Sequence, residues 1–164
     1  MVQGEHLVVL GALLALACGS DVAMRRVPNA LVVAIAITGV AAQWAAGGPG
    51  RALAGLLAAA ILFAVLLAAW ATRLLGGGDL KLAVATAVWL GPKSLIAFVL
   101  FTGIAGVPVA LAARAVHQLE LWRLVRGAAV DGRSLYDLTP ARETVPLAVA
   151  IAFGAGVALR WGTP

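Results

Sequence analysis

Six charge-free runs constrain this chain more than any other feature. Residues 6–20, 27–50, 52–72, 82–92, 94–113 and 144–159 contain no Asp, Glu, Lys or Arg. Lipid offers no partner to an exposed backbone amide, so a run that crosses a bilayer must be helical and about 20 residues long, with roughly 17 as the lower limit. The second, third and fifth runs meet that length. The first and last do so once they extend past a terminal charge whose side chain reaches the headgroups. The fourth, 82–92, is too short alone. It is either a short helix ending near Gly91-Pro92 or the start of one broken span over 82–113. At 63% hydrophobic and 12% charged, the composition is that of an integral membrane protein, since soluble domains are about half apolar and one quarter charged.

Basic residues decide between the two counts. With six helices and both termini outside, the inside holds Arg25, Arg26, Arg73, Lys81, Arg114, Arg123, Arg126, Arg133 and Arg142. The outside then holds only Arg51, Lys93 and Arg160, a split of nine to three. Merging 82–113 into one span moves five arginines outside and abolishes the positive-inside bias. The expected fold is therefore an all-α polytopic bundle of about six transmembrane helices. A single membrane-embedded domain over 1–164 has helices near 4–21, 29–47, 52–73, 80–92, 94–114 and 144–161, with a cytoplasmic loop over 115–143. Within that loop, Ala115, Leu119, Trp122 and Ala129 share a helical face; an interfacial helix on the anionic leaflet and a solvated connection both fit. Thr144 before Val145-Pro146 has the form of a cap with proline in the first turn.

Topology also accounts for the net charge of +5, so no nucleic-acid partner is expected. Cys18 is the single cysteine and reads as a packed apolar residue. His6 and His117 stand apart from any second ligand, so no metal site is expected. The amino-terminal run lacks a preceding basic segment, with Arg25-Arg26 following it, and reads as a retained helix.

Seven acidic residues remain to be placed. Glu5 lies at the outer terminus, and Glu120, Asp131, Asp137 and Glu143 lie among arginines as solvated counter-charges. Asp21 and Asp79 each sit at the boundary of an apolar helix, on the same cytoplasmic face under the six-helix topology. An ionisable group at such a depth is costly and is by default a functional candidate. Two neighbouring carboxylates share a proton, so one can take a proton from water while the other donates to a substrate carbonyl. That chemistry requires no cofactor. The positions also fit structural roles: Asp21 as a cap or partner of Arg25 or Arg26, and Asp79 as N-cap of a helix starting at Leu80.

The stretch Asp21-Val22-Ala23-Met24-Arg25-Arg26-Val27-Pro28-Asn29 and the stretch Gly76-Gly77-Gly78-Asp79-Leu80-Lys81-Leu82 occur in this order on the same face. They resemble the two aspartate motifs, D-x-x-x-R-x-I-P-N and GxGD, of type IV prepilin peptidases. Trp89-Leu90-Gly91 and Val145-Pro146 with Ala150-Ile151-Ala152 extend the resemblance over nearly the whole chain. It implies a membrane aspartyl endopeptidase with Asp21 and Asp79 as its dyad. The implied substrate is a prepilin or pseudopilin whose short basic leader is cut at the cytoplasmic face of the inner membrane. The paired cysteines of the larger, N-methylating members are missing, which argues against methyltransferase activity; the short form is most similar to the peptidases of tight-adherence (Tad/Flp) pili. Other motif residues have two roles open to them. Arg25 and Arg26 suit topology anchors or tuning of the dyad. Pro28 and Asn29 suit shaping of the second helix, and Lys81 suits an anchor or an electrostatic partner. Gly76 and Gly78 suit a flexible loop that accepts an extended substrate backbone, or a plain linker. A presenilin-like or preflagellin-type protease would keep the dyad and change the substrate. A small transporter or assembly scaffold would use the acids to bind a cation or proton.

Overall fold

The computed structural model describes residues 2–24, 27–72, 75–131 and 147–162, all helical apart from short connections. Four elements follow in order: α1 (Val2–Met24), α2 (Asn29–Ala71), α3 (Gly77–Asp131) and α4 (Leu147–Gly162). Long Ala- and Leu-rich stretches explain the helices, since these residues have the highest helix propensities. Two segments, Asn29–Ala71 and Gly77–Leu119, are long and apolar enough to cross a membrane. The described residues thus form four helical elements where six separate helices are expected, and the reason is local. The expected connections near 48–51 and at 93 are breaks of one or two residues, not loops.

Gly48 lies at φ 70°, ψ −164° and Gly91 at φ 65°, ψ −178°, a region essentially closed to any residue with a Cβ. A proline follows each, Pro49 and Pro92, where a ring with fixed φ and no N–H suits the first turn of a new segment. The first break reverses the chain. Residues 43 and 55 would lie about 18 Å apart along a straight helix, yet a Cβ added at Gly55 would meet Gln43 Cγ at 3.4 Å. Arg51 Nε also donates to Gln43 Oε1 at 2.8 Å. Residues 29–46 and 49–71 therefore form a hairpin.

Segment 77–90 of α3 packs against this hairpin. Trp89 Nε1 donates to Ile35 O at 2.8 Å, with Gly39 directly beneath the indole ring. From the other arm, Gly55 lies so close to Val88 O that a Cβ would approach it to 2.6 Å. Break and hairpin are tied together by Gln43, whose amide donates to Trp89 O at 2.6 Å and Val88 O at 3.3 Å. These are the carbonyls that lose their helical partners where α3 breaks. Leu82, Ala85, Thr86, Ala87 and Val88 are buried together, as expected of a helix apolar all round. The run that looks too short in the sequence is the centre of the core. Outward faces of α2 and α3 expose Val33, Ile37, Leu56, Ile96 and Leu100, a distribution suited to lipid.

One further element extends past its expected end, as the interfacial-helix reading of the loop allows. α3 continues as helix through Asp131, so residues 115–131 of the expected loop are helical, and Arg126 stacks over Trp122 at 5.9 Å. Its apolar-plus-basic composition sustains the helix beyond Arg114 with no glycine or proline until Gly127. The expected cap at Thr144 and residues 132–146 lie outside the described residues.

Candidate active site

Asp21 owes its position to helical periodicity. Leu10, Leu14, Ala17 and Asp21 recur every three or four residues on one face of α1, and all four are buried. The carboxylate is drawn into the core with that face and is only 7% exposed. Its own helix does not favour it there, because the last turn of α1 presents unpaired carbonyls. Relief comes from α4: Ala148 N donates to Asp21 Oδ2 at 3.2 Å. Ala148 is the second residue of α4, so this N–H has no partner within its own helix and the positive end of α4 faces the carboxylate.

Asp79 lies in the first turn of α3, not before it as an N-cap. Gly76 O closes that turn by accepting from Leu80 N at 3.1 Å. Gly77 and Gly78 are the first two helical residues, so the expected flexible glycine loop is largely a helix start. What the sequence reads as freedom of the backbone is, at Gly76, a matter of space: an added Cβ would sit 2.8 Å from Asp79 Oδ2. A Cβ at Gly77 would meet Trp70 Nε1 at 3.4 Å, whereas Gly78 faces open space. Asp79 is half-buried and interacts electrostatically with Asp21. Two carboxylates from separate helices thus lie within electrostatic range of each other, Asp21 facing the N-terminus of α4 and Asp79 within the first turn of α3. Such a pair can hold one proton between two oxygens and exchange it with water or a carbonyl.

The remaining motif residues divide. Lys81 Nζ donates to Asn29 Oδ1 at 3.3 Å, tying the start of α3 to the start of α2 beside Asp79. Pro28 precedes α2, one residue earlier than a first-turn proline, and its carbonyl accepts from Leu31 N at 3.0 Å. Arg25 and Arg26 lie outside the described residues. Sequence reasoning missed the Ala148 N–H, a backbone group with no side-chain signature; the start of a helix after Pro146 was its only signal.

A model of the type IV leader peptidase family matches residues 8–111, more than half of the chain. The chain belongs to the type IV leader peptidase family. No curated protein and no solved structure matches it. Both aspartates of this leader peptidase lie inside the matched span, while Ala148 on α4 lies beyond it. The family is one of peptidases, and together with two helices long and apolar enough to cross a membrane it supports a membrane peptidase.

Proposed function

We propose that this leader peptidase is an aspartyl endopeptidase that cuts the leader from type IV prepilin-like substrates, with Asp21 and Asp79 as its dyad. The observation that supports the reading is that these two carboxylates, from separate motifs 58 residues apart (79 − 21), lie within electrostatic range of each other, each at a helix end. One carboxylate takes a proton as water adds to the scissile carbonyl carbon, and the other, protonated, donates to the carbonyl oxygen. The tetrahedral adduct then breaks its C–N bond: the first carboxylate gives its proton to the leaving amine, and the second takes one back from an adduct hydroxyl as the carbonyl re-forms. The dyad ends with the one proton it started with.

The proposed topology has six passes with both termini outside, placing the dyad at the cytoplasmic face of the inner membrane. Its support is the hairpin in α2. Unbroken, its 43 residues would extend about 65 Å, twice the hydrocarbon thickness. The short Tad-type substrate class rests on the motif resemblance and the absence of paired cysteines.

The test is cleavage of a co-expressed prepilin, read by mass at its amino terminus, in Asp21→Asn and Asp79→Asn variants. Each is expected to accumulate in the membrane at normal levels and to leave the leader attached. Normal processing by either variant overturns the dyad.

A further inference from the structure

An open groove of about 640 Å³ runs along the seam between α1 and α4. Gly11, Leu14 and Ala15 line it from α1, and Ala152, Gly156 and Arg160 from α4. Its lining is apolar except at the Arg160 end. The opposite end points at the candidate dyad: Ala152 is one turn beyond Ala148, and Ala15 is six residues, about 9 Å of helix, from Asp21. The same two helices thus form both the groove and the Asp21–Ala148 contact.

From this continuity we infer that the groove seats the apolar transmembrane helix of the substrate, immediately after the bond that is cut. The inference rests on the aspartyl leader-peptidase reading. A substrate cleaved at the membrane boundary must continue from the dyad into the bilayer, and this groove leaves the dyad in that direction. Its lining suits a helix more than a lipid tail. Helix backbones approach closely in a membrane only over small residues, and Gly11, Ala15 and Gly156 are exposed small residues facing the groove. A Cβ at Gly11 or Gly156 would meet no atom within 4 Å, so the space is free for an incoming side chain. A substrate helix docked there gains apolar contact without displacing any part of the bundle.

The experiment uses the full chain in nanodiscs with two substrates: a leader followed by an apolar helix, and the soluble leader peptide alone. Gly11→Leu and Gly156→Leu fill the groove, and Gly103→Leu, which also points into open space but does not line the groove, is the control. Filling the groove is expected to raise KM for the helix-bearing substrate about tenfold, the size of a typical overpacking conflict, while the soluble peptide and the control stay within about twofold. In a Cys18→Ala background, Gly156→Cys is expected to form a disulfide with a cysteine in the substrate helix, and Gly103→Cys is not. An unchanged KM together with no crosslink at position 156 overturns the docking site and leaves the groove to lipid. Asp21→Asn separates the two claims: it is expected to abolish cleavage and keep the crosslink. Cleavage by Asp21→Asn with the crosslink intact would remove the dyad and leave the docking site standing.

Discussion

Asp21 and Asp79 are held by different means, and their neighbours are correspondingly sensitive. Gly76 is the clearest case, because its missing Cβ makes room for Asp79 Oδ2. Gly76→Ala is expected to push the carboxylate aside and lower kcat/KM by about 100-fold, the cost of an ångström-scale misplacement, with the protein still folded by thermal unfolding. An unchanged rate would show that Asp79 Oδ2 is not required where it sits. Lys81→Met removes an exposed hydrogen bond to Asn29 and is expected to lower stability by no more than about 1 kcal/mol. The aspartates themselves were legible in the sequence, because an acid at the edge of an apolar run has few structural uses. The donor on Asp21 was not, because Ala148 contributes only its backbone.

At the scale of elements, the breaks in α2 and α3 decide the architecture. Gly48→Ala and Gly91→Ala place a Cβ where φ is positive, and each is expected to destabilise by about 1–3 kcal/mol, measured as loss of thermal stability in detergent. Gln43→Leu leaves the Val88 and Trp89 carbonyls without their cross-helix donor and removes the acceptor of Arg51, an expected loss of about 1–3 kcal/mol. Between α3 and α4, Gly154 is packed directly onto Thr102, so Gly154→Val is expected to separate the two helices and reduce accumulation in the membrane. The Gly-Pro dipeptides at 48–49 and 91–92 are visible punctuation in the sequence. That the first turns the chain back within two residues, leaving no loop, depends on contacts between residues 43, 51 and 55 that no local pattern specifies.

At the scale of the whole molecule, the hairpin predicts sidedness. In a Cys18→Ala background, Gly50→Cys sits beside the first break with open space around it, and Thr72→Cys follows the other end of α2. A membrane-impermeant maleimide is expected to label Gly50→Cys on intact cells and Thr72→Cys only after permeabilisation; labelling of both from one side removes the six-pass topology. The sequence by itself determined that this chain is helical, that it belongs in a membrane and that Asp21 and Asp79 are its exceptional acids. Those properties follow from hydropathy, charge and local motif, which are sums over neighbouring residues. Only the tertiary structure decided that 82–90 is the buried centre, that Gln43 ties the two breaks, and that α4 brings the Ala148 N–H to Asp21. These depend on which helix faces lie together, and residues 127 positions apart (148 − 21) carry no local record of their contact.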